Sequence, residues 1–292
     1  MTAPIPHPSA PSSAPLGAGD LAAEITAQLS TRLRTVRLHR FHRPGPAAPT
    51  LVAVAHGSRD PRALPTVRAL LDRVRALRPG LPVRLGHLEL NRPLLADALA
   101  ELSGRAVLVP LLFGHGHHVT HDLPAALAAA PHLTGRIAEP LGPHPLLAEA
   151  LHGRLLEAGA TAGGDWTAVV LAAAGSRAAR SARDTERTAA LLSARLGGLP
   201  VVPAYASAAT PSVPDAVREL TARGHERIAV AGCFTAPGRF ATQCAQAAPG
   251  AAAAPLGDHP ALARLVLHRY DQALLTRTGS DPESTRAATV AV

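Results

Sequence analysis

The strongest constraint on how this chain can fold is that its sequence runs through one pattern twice. AVVLAAAGSR at 168–177 repeats TLVAVAHGSR at 50–59, TPSVPDAVREL at 210–220 repeats RPLLADALAEL at 92–102, and PLGDHP at 255–260 repeats PLGPHP at 140–145. The interval from His56 to Ala174 equals that from Pro93 to Pro211, and it widens only after the connector TARGHERIAV. Internal similarity of this kind implies one structural plan used twice. A length of 292 residues leaves room for two modest units.

Within the first copy, apolar runs alternate with helical patterns. LVAVA from Leu51 is a short buried strand that ends at His56-Gly57-Ser58-Arg59. Asp60-Pro61 opens a helix carrying Val67, Leu70, Leu71, Val74 and Leu77 at intervals of three and four, and Pro79-Gly80 closes it. Strands are expected at 83–88 and 106–112, with a weaker fourth at 135–139. Helices are expected at 93–102, from Asp122-Leu123-Pro124, and from Pro145. This order predicts an α/β fold of two tandem related domains, each a parallel four-stranded sheet flanked by helices. The expected divisions are an N-terminal extension at 1–48, a first domain at 49–160, a second at 166–278 and a tail at 279–292, with 159–165 as the linker. The extension holds one short amphipathic helix through Leu21, Ile25, Leu29 and Leu33 and is otherwise expected to be disordered.

Composition narrows the partners. Apolar residues make up 47% and aromatics 2%, so the core must be built from Ala, Leu and Val. All 29 basic residues are Arg, and the net charge of +8 favours an anionic partner. Nucleic acid is not expected, because stacking platforms need aromatic side chains that this chain hardly has. Cys233 and Cys244 fit neither a redox pair nor a metal framework. With no signal peptide or membrane span in the pattern, a cytoplasmic protein without a membrane partner is expected.

Ligands of a parallel α/β sheet bind beyond the carboxyl ends of its strands. His56 follows the first strand, Glu89 ends the second, and FGHGHHVTH at 113–121 follows the third. Two imidazoles and a carboxylate suit a borderline divalent metal and leave coordination positions open; a zinc hydrolase would use the same set. Singly, each residue has a plainer reading: His56 as a helix cap, Glu89 as a solvated strand end. The cluster His115, His117, His118 and His121 has the density of a metal-binding tract, although some of these would serve equally as surface residues.

Taken in order, AHGSR, GHLELNRPLLADAL, VPLLFGHGHHVTHDLP and PLGPHP resemble the sequence pattern of the CbiX-type sirohydrochlorin chelatases over essentially all of residues 50–158. The resemblance implies insertion of Co²⁺ or Fe²⁺ into sirohydrochlorin, on the route to cobalamin or sirohaem. No ATP and no organic cofactor are implied, and the divalent metal, Ni²⁺ included, is substrate. It implies His56 and His118 as metal-binding histidines, His56 also as proton acceptor, and Glu89 as the acid facing metal and substrate. Phe113, Gly114, His115, Gly116, His117 and His118 would line the tetrapyrrole. The family is usually less His-rich where His115 and His117 stand, and the His-rich tails and cysteine clusters of some longer members are missing. Arg59 is a candidate for the substrate carboxylates.

In the second copy His56, Glu89 and His118 are matched by Ala174, Ser207 and Phe240. That half is expected to close over the tetrapyrrole, with Arg177 and Arg239 as carboxylate clamps, so that a monomer acts as an internal pseudo-dimer. A metal or tetrapyrrole carrier that never catalyses insertion is the alternative.

Overall fold

A strand apolar along its whole length is stable only where both faces are covered, and the run at 51–55 is placed accordingly. The computed structural model describes residues 48–162 and 165–276. Strands β1 (Thr50–Ala55), β2 (Val83–His87), β3 (Gly104–Pro110) and β4 (Leu133–Ile137) form a parallel sheet in the order β2-β1-β3-β4. Leu51 pairs with Val83 on one side and Val107 on the other. The second copy supplies β5 (Ala168–Ala173), β6 (Val201–Tyr205) and β7 (Ile228–Gly232), parallel in the order β6-β5-β7.

The expected doubled α/β plan is therefore present, with one correction. The fourth strand of the second sheet is reduced to a single bridge between Val230 and Ala252. Its sequence, GAAAAP at 250–255, offers no branched or aromatic side chain to a pleated surface.

The helices are α1 (Ala63–Leu77), α2 (Leu95–Ala100), α3 (Leu123–Ala128) and α4 (Pro145–Ala162), then α5 (Ala179–Arg195), α6 (Val213–Ala222), α7 (Arg239–Gln246) and α8 (Pro260–Leu275). Alternation along each central strand divides them into layers. Leu51 and Ala53 of β1 share one continuous core with Val169 and Leu171 of β5 and with residues of α1, α4, α5 and α8. Val52 and Val54 face a separate layer with Leu95, Leu99 and Leu123, and Val170 and Ala172 face another with Val213, Ala216 and Leu220.

The two copies also exchange their last helices. α8 packs on α1 and β3 of the first copy, while α4 packs on α5 and β7 of the second. Polar contacts fix the exchange. The buried Tyr270 hydroxyl donates to Pro49 O at 2.7 Å, and Arg78 grips the Asp271 carboxylate at 2.6 and 2.8 Å. A buried hydroxyl without such an acceptor would cost about 1–3 kcal/mol. The segment expected as a linker from Gly159 begins inside α4, which continues to Ala162.

The extension expected at 1–48, with its helix, lies outside the described residues except for Ala48, and so does the tail at 279–292. Among the described residues no helix is long and apolar enough to cross a membrane.

Candidate active site

Where β1 and β2 end, backbone contacts hold two loops together. Gly57 has φ +105°, and a Cβ there would lie 1.9 Å from Glu89 O, so only glycine lets the loops approach this closely. Glu89 N–H donates to His56 O at 3.0 Å, and Ser58 N–H to Asn91 Oδ1 at 2.7 Å. These bonds set His56 Nδ1 3.4 Å from Glu89 Oε1, with the two side chains 43% and 54% exposed and so open to a ligand.

The third loop delivers His118. Helical conformation begins just before it, at His117, earlier than the expected start at Asp122, and continues in a π-helical turn over His118–Asp122. Leu123 N–H bonds His118 O, five residues back. Pro124 has no N–H to offer Thr120, which favours the wider turn. The turn brings His118 Nδ1 to 2.6 Å from Asp122 Oδ2. A carboxylate there holds the proton on Nδ1 and leaves the Nε2 lone pair free. The His118 ring stands 4.9 Å from that of His56, centroid to centroid, nearly perpendicular at 83°.

His56, Glu89 and His118 thus all line one cavity of about 760 Å³, in the upper part of the roughly 300–1,000 Å³ range of small-molecule sites. Among the described residues, however, no group of three or more His, Cys, Asp or Glu side chains is gathered to hold a metal ion. The three side chains are neighbours around an open space and form no closed cage.

Both copies wall the cavity. α1 contributes Ala63, Leu64 and Val67, and α5 contributes Ser181, Thr185 and Thr188. Phe113, Gly114, Gly116 and Arg59 line it, and so does Arg239, whose guanidinium lies 4.9 Å from the Phe240 ring centroid. Arg177 is exposed and is not part of the wall. Cys233 also faces the cavity, but burial pushes its thiol up to about 12, so it offers no thiolate to a metal.

Two expectations for the His-rich loop need correcting. His115 does not line the cavity; it is 7% exposed, with Nδ1 2.7 Å from Asp184 Oδ2 and Nε2 2.7 Å from Glu139 Oε2. Carboxylates at both ring nitrogens hold it inside the protein. His117 points outward, its side chain 71% exposed and its ring stacked on His121 at 4.5 Å. Being consecutive to His118 on a helical turn, it cannot share that residue's face.

Sequence reasoning missed Asp184 and Glu139, and took Asp122 only for a helix start. One signal for Asp184 was available. The face of α1 carrying Ala63, Val67 and Leu70 is matched in α5 by Ser181, Thr185 and Thr188, a polar replacement on a helix side that should be buried.

The second copy repeats this loop geometry. Gly175 has φ +90°, a Cβ there would lie 1.8 Å from Ser207 O, and Ser207 N–H donates to Ala174 O at 3.0 Å. Leu90 and Ala208 share a left-handed backbone, at φ 66° and 59°. None of the three side chains is repeated.

Comparison with known proteins adds to this. The CbiX family model matches the chain twice, over residues 50–158 and 168–273. A sirohydrochlorin cobaltochelatase of Methanococcoides burtonii is 28% identical over 123 residues, covering 37% of this chain and 94% of that protein. The sirohydrochlorin chelatase SirB of Bacillus subtilis subspecies spizizenii, solved with cobalt, superposes with a TM-score of 0.62 at 20% identity, covering 77% of this chain and 94% of its own. CbiX from denitrifying bacteria, described as the terminal enzyme of sirohaem biosynthesis there, superposes at 0.58 with 24% identity over 78% and 100% of the two chains.

Proposed function

The chain belongs to the CbiX family, and from that premise we propose that it is a metal chelatase inserting Co²⁺ or Fe²⁺ into sirohydrochlorin, with the chemistry in residues 49–160 and with 166–278 as a closing wall. The observation that carries this reading is that His56, with Glu89 and His118 beside it, lines a largely apolar cavity together with them.

Insertion releases two protons as the divalent ion replaces the two N–H hydrogens of the macrocycle. His118, held through Nδ1 by Asp122, presents Nε2 to the incoming ion. His56, flanked at Nδ1 by Glu89 Oε1 and Gly57 O, keeps Nε2 for the ion or for a released proton. Glu89 stabilises the positive charge that His56 gains on taking that proton. Two imidazoles and a carboxylate bind such ions less tightly than thiolates do, and an open set favours transfer over storage. Arg59 and Arg239 suit the substrate carboxylates. The cavity is completed within one chain, which supports a working monomer.

The test is to mix the protein with sirohydrochlorin and Co²⁺ or Fe²⁺ and follow the absorbance change of metallation. A chelatase accelerates it over the protein-free mixture, and His118→Ala lowers the rate about 100-fold. Binding of both substrates without acceleration would make the protein a carrier.

A further inference from the structure

The pseudo-symmetry of the two copies fails in one buried place, and the failure lies beside the loop that delivers His118. Across the molecule, loops and helices meet in matched pairs. Ser58 Oγ donates to Pro237 O at 3.3 Å and stands 3.0 Å from the position of a Cβ on Gly238, while Ser176 Oγ stands 3.5 Å from that position on Gly116. By the same correspondence His115 of the first loop matches Pro237 of the second. Asp184 on α5, which faces His115, matches Thr66 on α1.

The acid and its partner are therefore present on one side only. His115 N–H donates to Asp184 Oδ2 at 2.9 Å, and its ring Nδ1 lies 2.7 Å from the same oxygen. Glu139, just beyond β4, holds the other ring nitrogen, with Arg180 of α5 3.8 Å away. On the opposite side Pro237 has no N–H to satisfy, and Thr66 spends its hydroxyl on Arg62 O of its own helix at 2.7 Å.

Asp184 is 2% exposed. A carboxylate so deeply buried is costly unless bonded, and here its Oδ2 bonds a loop from the other copy. Gly114 reinforces the contact, because a Cβ there would lie 3.3 Å from Ser181 Oγ and 3.5 Å from Asp184 Cβ.

We propose that Asp184, acting through His115 and Glu139, is a positioning residue by which the metal-ligand-free second copy holds the 113–118 loop and so sets His118 against His56. The assignment rests on the chelatase reading. The copy that carries no such ligands of its own is in this way required for the ligands of the other. His118 lies three residues beyond the anchor, and misplacement of a reacting group by about 1 Å can cost on the order of 100-fold in rate.

The experiment uses the full chain with Asp184→Asn, which keeps the volume and one acceptor, and reads metallation kinetics beside amide hydrogen exchange. The expected result is a kcat lower by about 10- to 100-fold, KM for sirohydrochlorin within about threefold of wild type, and faster exchange confined to residues 113–121. Unchanged exchange in that loop, or a freed loop with kcat within about twofold of wild type, overturns the proposal, because a purely structural contact would move stability and not this split. Should Asp184→Asn not fold, Glu139→Gln carries the test from the other, half-exposed end of the anchor with the same criteria. If the wild-type chain does not metallate sirohydrochlorin at all, the function falls on that result, while loop exchange still decides whether Asp184 anchors the loop.

Discussion

At His56 and at Ala174 the backbone makes the same turn, yet only the first carries a side chain able to meet a metal. Both turns need a left-handed glycine, both accept an N–H from the second loop at 3.0 Å, and both are followed by a serine whose Oγ accepts from the backbone two residues on. What differs is the chemistry set on that frame. The first copy has His56, Glu89 and His118; the second has Ala174, Ser207 and Phe240, and has made polar the helix face it turns to the cavity. Conformation and reactivity are thus separable here: backbone hydrogen bonds and glycine φ angles preserve the loop, and side chains confer the site.

The largest effect should come from breaking that asymmetry. His56→Ala is expected to slow metallation by at least about 100-fold, some 2.7 kcal/mol of barrier or more. Ala174→His should leave the rate within about twofold of wild type, because its neighbours Ser207 and Phe240 supply no second ligand. A gain in rate from Ala174→His alone would show that the second copy can take a direct part in holding the metal.

The shared frame should respond alike in both copies. Gly57→Ala and Gly175→Ala each drive a Cβ to within 1.9 Å or less of a carbonyl oxygen, so each should lower stability by about 2–3 kcal/mol in denaturant titration. A large loss at Gly57 beside none at Gly175 would mean that the second loop is conserved in shape but not in tightness.

Arg239 and Arg177 sharpen the comparison within the second copy. Arg239→Glu should raise KM for sirohydrochlorin about 10-fold, or 1.4 kcal/mol, because its guanidinium lies on the cavity wall. Arg177→Glu should change KM less than about twofold. Equal effects would point to general electrostatic steering in place of a clamp, and raised salt would then abolish both.

The smallest effect is a symmetric one. His144 and His259 each cap a helix through Nδ1, at 3.1 and 3.2 Å from Leu146 N and Ala261 N. Burial is the main cause that lowers both, His144 to about 4. The unfolded imidazole takes its proton near 6.5, so between those values the unfolded chain binds more protons. The stability contributed is full above about 6.5 and is lost as pH falls toward 4. His144→Asn keeps a cap acceptor and should flatten the decline of Tm over that window, and His259→Asn, whose histidine is lowered in the same direction, should flatten it as pH falls below about 6.5. A decline as steep as in wild type would remove these histidines from the account.

Much of this was legible in the residues. Short apolar runs and their turn signals located β1 to β4, the repeat at 168–177 located β5, and the carboxyl-edge rule brought His56, Glu89 and the 113–118 loop together; β6 and β7 followed only from the doubled plan, with β7 beginning inside the stretch read as a connector. The His-rich loop shows where such reading stops. Four histidines in seven residues look equivalent in sequence, yet His118 faces the cavity, His115 is buried between two carboxylates, and His117 and His121 stack in solvent. The differences come from a π-helical turn and from a helix 69 residues away.

By itself the sequence determined the doubled plan, the parallel α/β class and which residues gather at the carboxyl edge of the first sheet, because periodicity, turn residues and repeated motifs are local and survive in one dimension. Tertiary structure alone decided the sheet order β2-β1-β3-β4, the exchange of α4 and α8 between copies, and the burial of Asp184 against His115. Each of these depends on which surfaces remain to be covered once the sheets have formed, and on satisfying buried polar groups between residues far apart in the chain.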